Sequence, residues 1–274
     1  MRKQADRDVE LQGATELGSL KRGVHILKIL ATAGTRGLVL TEVAARAGLP
    51  HPTAHRVLHQ LLDQRLVARN DECRRYRLGP LAFELGIASS TMYDWRDICD
   101  PPMAELSAET RDTVYLVMRS GFDAVCVHRL EGSFPIRTLL LDVGSRRPLG
   151  VGAGGLALLA AVGDEERGQI IERVSPKVSA ATGMTASILE RACARTRQDG
   201  VAIVQDTISL GVRAVGQHFC DAMGQPVGAL SVAALSHRMT RDRAKCIGEM
   251  LRDGCASVER HLQQQRQNGW QSGV

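Results

Sequence analysis

Residues 41–60 read Thr41-Glu42-Val43-Ala44-Ala45-Arg46-Ala47-Gly48-Leu49-Pro50-His51-Pro52-Thr53-Ala54-His55-Arg56-Val57-Leu58-His59-Gln60, and this stretch decides the fold of the first part of the chain. Leu40, Val43, Ala44 and Ala47 recur with the period of a short amphipathic helix, capped by Thr41 and closed by Gly48. A longer helix follows from about Pro52 to Gln64, with Ala54, Val57, Leu58, Leu61 and Leu62 on its buried face. Pro52 suits a first helical position, where a missing N–H costs nothing. Two short helices about a Gly48-Leu49 turn, with small Ala45 expected at their crossing, match a helix-turn-helix. Outside the apolar stripe the second helix presents His51, Thr53, His55, Arg56, His59 and Gln60. All can hydrogen-bond, and those near the helix start are placed to read base edges in a major groove.

Working outward, residues 1–19 are polar, lack periodicity and read as a flexible tail. Leu20, Val24, Leu27 and Ala31 then mark a first helix, ending near Gly34 and Gly37. Downstream, Leu66-Val67-Ala68-Arg69, a turn at Asn70-Asp71-Glu72, and Arg74-Arg75-Tyr76-Arg77-Leu78 read as a hairpin. Strand alternation puts Arg75 and Arg77 on one face, where they would reach phosphates as a wing does. From Leu20 to Pro80 there are eleven Lys/Arg against four Asp/Glu, a net +7 in a chain of net +5, so the remainder carries −2. A basic module on a mildly acidic body fits a polyanion-binding unit. Three helices and a hairpin make a winged helix-turn-helix domain over 20–80.

Residues 81–95 continue as a linker helix to a second domain over 96–265, with a tail at 266–274. Strands are predicted over 113–118, 124–130, 136–141, 211–219 and 227–234, and helices over 154–161, 165–174, 186–197 and 241–264. Short hairpins between strands, with flanking helices, imply an α+β antiparallel sheet rather than a doubly wound one.

Several other chemistries are weighed by their spacing. Gly150-Val151-Gly152-Ala153-Gly154-Gly155 satisfies G-x-G-x-x-G, but Arg146-Arg147-Pro148 stands where a dinucleotide-binding unit needs a strand. What survives is glycines at a helix start, whose backbone N–H groups suit an anion such as a carboxylate. Cys126, His128, His218 and Cys220 would make a Cys2His2 metal site only if their strands were neighbours, with each Cys and His sharing a face. No metal and no cofactor is expected. Seven cysteines without a C-x-x-C read as reduced thiols, and no charge-free stretch is long enough to span a bilayer, so a cytoplasmic location is expected. There is no H-E-x-x-H, no P-loop and no Ser–His–Asp arrangement that would make the chain an enzyme.

The motif Thr41-Glu42-Val43-Ala44 through Gly48-Leu49-Pro50-His51-Pro52-Thr53-Ala54-His55-Arg56-Val57-Leu58, closed by Tyr76-Arg77-Leu78-Gly79, resembles the winged-helix domain of IclR-family transcriptional regulators. Arg147-Pro148-Leu149 with Gly152-Ala153-Gly154-Gly155-Leu156 is similar to that family's effector-pocket motif, and Gly211-Val212-Arg213-Ala214 and Gly228-Ala229-Leu230-Ser231-Val232 to its late strands. The resemblance covers about residues 20–265. Pro52 replaces a usual Ser, Leu156 a usual Lys, and Asp206 stands without the family's run of acids. The resemblance implies a GAF-like effector domain and a regulator of double-stranded operator DNA, acting as a homodimer or homotetramer and responding to a small carboxylate or aromatic acid. By carry-over, Ala153 and Gly154 touch the carboxylate, Ser231 and His218 hydrogen-bond the ligand, and Asp206 orders a covering loop. Leu139, Leu141, Val212 and Ala214 would line its apolar wall. An enzyme with an accessory DNA-binding domain (a dehydrogenase or metal hydrolase) is the competing reading, and a purely structural nucleoid protein a third.

Overall fold

The computed structural model describes residues 18–33, 36–89 and 95–271. Nearly all of the first expected tail lies outside these residues. The chain forms two compact units, residues 1–93 and 94–274.

The first unit contains α1 (Ser19–Ala31), β1 (Leu38–Val39), α2 (Leu40–Ala47), α3 (His51–Asp63), β2 (Val67–Asn70), β3 (Arg75–Leu78) and α4 (Pro80–Ser89). Ile26, Leu30, Val43, Ala54, Leu58 and Tyr76 meet in one buried core. The three strands pair antiparallel in the order β1-β3-β2. At two residues β1 is too short to leave a sequence pattern, yet it turns the expected hairpin into a three-stranded wing. Val39, rather than Thr41, caps α2. Its N–H donates to the Glu42 carboxylate at 2.9 Å, which leaves Thr41 inside the helix. Ala44 and Ala47 face the core while Ala45 is exposed, so the helix crossing is one residue away from its expected place. Gly48 ends α2 at φ 61°, a left-handed conformation that glycine adopts without a Cβ clash.

The expected linker helix is seen as α4 as far as Ser89, its remaining residues 90–94 lie outside the described ones, and helix α5 (Trp95–Thr110) opens the second unit. Pro101 and Pro102 within it read as breakers in sequence. Burial of Cys99, Pro102, Met103 and Leu106 outweighs the two lost backbone donors. There follow β4 (Thr113–Ser120), β5 (Asp123–Leu130), β6 (Arg146–Pro148), α6 (Gly152–Ala161), α7 (Asp164–Thr182), α8 (Ala186–Asp199), β7 (Ala202–Gln205), β8 (Val212–Cys220), β9 (Pro226–Leu235) and α9 (Arg241–Gln271). The last of these continues as helix to Gln271, well into the expected C-terminal tail, whose last three residues lie outside the described ones.

All neighbours in the six-stranded sheet are antiparallel, in the order β6-β5-β4-β9-β8-β7. Helix α6 packs on one face, with α7 and α8 outside it, while α5 and α9 cover the other. Buried on all sides from Ala153 to Ala160, α6 is the central helix of the unit, and Leu156 belongs to its core. The expected strand over 136–141 does not form. Instead the Tyr115 hydroxyl donates to the Thr138 carbonyl and accepts from Leu140 N–H, and the Thr138 hydroxyl donates to the Ala233 carbonyl. These side-chain bonds hold the segment beside the sheet without a ladder.

Residues far apart in sequence close the unit. Central strand β4 pairs with β9, and buried Asp112 takes Arg238 at 3.2 Å and Arg243 at 2.7 Å. The Thr110 carbonyl accepts from Arg243 as well.

Candidate functional site

On α3, Ala54, Val57, Leu58 and Leu61 face the core. His51, His55, Arg56 and His59 are exposed on the opposite side, with Thr53 half-buried at its margin. The His55 and His59 rings lie 5.2 Å apart. Helix α3 therefore presents a row of hydrogen-bonding groups to solvent, with Pro52 beside them.

The wing departs from expectation at Arg75. Its guanidinium donates to the Gly37 carbonyl at 2.9 Å and to the Glu42 carboxylate at 3.4 Å, tying β3 to the start of α2. That internal engagement, made possible by β1, holds one guanidinium nitrogen of Arg75 and leaves the side chain half-buried. Arg77 stays exposed. Together with its bond to Val39, the pairing holds the Glu42 carboxyl below its ordinary range.

In the second unit a narrow cavity of about 40 Å³ lies between the N-terminal end of α6 and the sheet. Of the residues carried over, Ala153, Gly154, Val212, Ala214, Ser231 and Leu141 line it. Two members are elsewhere. Leu139 is 51% exposed and outside the lining, because its segment is not a strand and turns Leu140 and Leu141 inward instead. His218 lies four residues beyond Ala214, roughly 13 Å along β8, and borders a different concavity. Asp206 does not line the cavity but organises the loop that does. Its carboxylate accepts Gly211 N–H at 2.7 Å and Gln205 Nε2 at 3.0 Å, while its own N–H donates to the Val212 carbonyl. Thr207, Ile208 and Ser209 of that loop form part of the wall.

Two further lining residues carry polar chemistry to which the sequence reading gave no role of their own, although Arg147 stood in the quoted pocket motif. Tyr115 shares the inward face of β4 with Val117 and holds the wall at 138–140, and burial raises its phenol's pKa. Arg147 pairs in register with Ala124, whose side chain is in the core on the α6 side. It is the one charged residue of the lining among the described residues. Its position just before the glycine motif was the available signal. Opposite it, α6 begins at Gly152 after Val151 with no side-chain cap, so its first N–H groups remain available to an anion.

The remaining chemistries are answered by topology. Strands β5 and β8 are separated by β4 and β9. A register shift opposite Leu116 and Val117 also puts Cys126 and His128 on opposite faces of β5, correcting their expected alignment. Cys126 is buried, which pushes its thiol up to about 11, while His128 faces Asp100 on α5 at 3.1 Å. Among the described residues no three His, Cys, Asp or Glu side chains are grouped to hold a metal. The G-x-G-x-x-G turn joins an antiparallel edge strand to α6, with no parallel strand after it. No helix of the described residues is long and apolar enough to cross a membrane.

Burial lowers the His218 pKa below its usual value, against a smaller opposing effect from Glu259. The unfolded chain then binds a proton that the native state resists, so this residue's contribution to stability is full above the unfolded value of about 6.5 and is lost as pH falls below it. The melting temperature of wild type is expected to drop more steeply between pH 7 and 5 than that of His218→Gln. Parallel curves would show the imidazole to be hydrated in the native state.

A basic winged helix-turn-helix unit in one chain with a cavity-bearing antiparallel sheet defines a ligand-responsive DNA-binding protein. Comparison with known proteins agrees. Residues 19–71 match the IclR helix-turn-helix domain, and residues 88–260 match the bacterial transcriptional regulator IclR C-terminal domain. The transcriptional repressor IclR of Escherichia coli is 26% identical over 239 residues, 86% of each chain. The HTH-type transcriptional repressor AllR of Salmonella typhi is 26% identical over 245 residues, 89% of each. Among solved structures, an IclR homologue from Microbacterium hydrocarbonoxydans complexed with 4-hydroxybenzoate shares the fold at TM-score 0.70 and 23% identity, covering 89% of this chain and 99% of that one. The chain belongs to the IclR family of bacterial transcriptional regulators, with an N-terminal DNA-binding domain and a C-terminal ligand-binding domain.

Proposed function

We propose that this regulator binds operator DNA through α3 and the wing, and that a small carboxylate effector in the α6 cavity modulates that binding. Arg147, the sole charge of an otherwise largely apolar lining, stands with the uncapped start of α6, and this observation carries the effector reading. The carboxylate takes the Arg147 guanidinium and the N–H groups at Ala153 and Gly154, with Ser231 as a further hydrogen bonder. At about 40 Å³ the cavity holds only a few water-sized groups. An aromatic acid therefore enters by parting the 206–211 loop and the 138–141 segment, and that displacement is the signal. The repressor names of relatives and the 4-hydroxybenzoate of one fold neighbour are in keeping with this reading. One short helix reads only a few base pairs, so the working form is a homodimer or homotetramer on a two-half-site operator, in the cytoplasm. The chain is a regulator rather than an enzyme.

At the DNA face, His51, Thr53 and Arg56 contact base edges, His55 and His59 flank them, and Arg77 contacts phosphate. Arg56→Ala is expected to cost about 1–3 kcal/mol on the operator and much less on random DNA. Arg77→Ala is expected to weaken both equally and to flatten the salt dependence by about one unit of log–log slope. Anisotropy titrations at several salt concentrations separate the two. Equal losses for Arg56→Ala on both DNAs would rule out base reading.

A further inference from the structure

A second concavity of about 360 Å³ opens toward the C-terminal end of α6, lined by Ala157, Ala160, Ala161, Thr196, Arg197 and His218 among others. The three alanines give it an apolar floor, and α8 and β8 supply polar walls. On α8, Leu189, Cys193 and Thr196 recur at spacings of four and three and form the buried stripe. Thr196 is accordingly only 7% exposed. The Thr196 hydroxyl has no hydrogen-bond partner among the described residues, and polar side chains buried to this degree are ordinarily satisfied. His218 is only half-buried beside it. Arg197 gives one N–H to Asp164 at 2.7 Å, and Arg167 grips the same carboxylate. Two guanidinium groups on one carboxylate leave a net positive rim, with further N–H groups of Arg197 to spare.

We propose that this concavity is a second small-molecule site, for a small aromatic monocarboxylate, distinct from the cavity at the other end of α6. The ring lies on Ala157, Ala160 and Ala161, while the carboxylate accepts from Arg197 and from the Thr196 hydroxyl. His218 closes the site as the remaining hydrogen-bonding wall. Its volume falls in the range of small-molecule pockets. Because α6 builds one wall of each site, a ligand in one bears on the helix that shapes the other, and the regulator has two inputs on one element.

Equilibrium dialysis of radiolabelled benzoate against the full chain tests this directly. Two benzoates per chain are expected for wild type, and one for Gly154→Val, which fills the first cavity. In the Gly154→Val background, Arg197→Ala should lower the remaining affinity at least tenfold, and near-isosteric Thr196→Val several-fold without loss of fold. Asp164 keeps Arg167 when Arg197 is removed, so the bridge survives that variant. A stoichiometry of one that Gly154→Val abolishes would overturn the second site and leave the first standing. A wild-type stoichiometry of zero, or second-site affinity unchanged in both Arg197→Ala and Thr196→Val, would overturn it as well.

Discussion

Gly216→Ala is expected to melt the effector domain roughly 6–12 °C below wild type. A Cβ at this position on β8 would lie 2.6 Å from the Ala153 carbonyl carbon, 2.7 Å from its oxygen and 2.9 Å from Gly154 N. All three are backbone atoms at the start of α6, so no side-chain rotation relieves the clash. Either α6 lifts from the sheet or β8 bends away, and overpacking of this kind costs about 3 kcal/mol. In a unit of this size each kcal/mol corresponds to about 2–4 °C. Gly168→Ala supplies the opposite case. It lies within α7 with nothing inside 4 Å of the added carbon, so helix propensity alone predicts a gain of about 0.5–1 kcal/mol. Calorimetry on both variants reads the contrast, and a Gly216→Ala transition within a degree of wild type would mean that α6 is not seated on β8.

Gly154→Val should abolish the effector response while operator affinity stays within about twofold. The added Cβ falls 2.7 Å from the Val117 side chain and 3.7 Å from Ser231 Oγ. The contact is with a side-chain methyl at the cavity wall rather than with backbone, so Val117 must shift, and the valine methyls enter a space of only about 40 Å³. They also cover the backbone donors that the carboxylate would approach. Operator binding, followed by anisotropy with and without the effector, distinguishes this outcome from general damage. A full response in the folded variant would move the effector away from α6 and leave Gly154 to packing alone.

What could be read from sequence was what local periodicity writes. Helix α3 has its apolar stripe at Ala54, Val57, Leu58 and Leu61, so its solvent face, including Arg56, was legible directly. The glycine run placed the start of α6 to within two residues, at 154 against the observed Gly152. The internal ties of Arg75 were not legible because its partners depend on β1, a two-residue strand whose register with Arg75 and Tyr76 is purely tertiary. The inversion of His128 came from a bulge, which shifts every later side chain of its strand without altering the alternation of residue types. Leu139 failed differently. Its segment is an apolar run bounded like a strand, Ile136 to Leu141, but Thr138 and Tyr115 provide bonds that no strand pattern encodes. His218 was placed on the correct face of β8, but distance along the strand, which face periodicity ignores, separates it from the cavity.

The pairing of β4 with β9, locked by Asp112 to Arg238 and Arg243, sets the order in which the two units become functional during synthesis. Those contacts join residues 126 and 131 positions apart, and long loops must close before such pairs stabilise anything. The described contacts of the DNA-binding unit lie within residues 18–89 and are complete long before β9 leaves the ribosome. At the roughly 5–20 residues per second of translation, the nascent chain spends several seconds with its DNA-binding unit folded and its sensor unformed. Regulation by effector therefore begins only once the last strand has been threaded between β4 and β8.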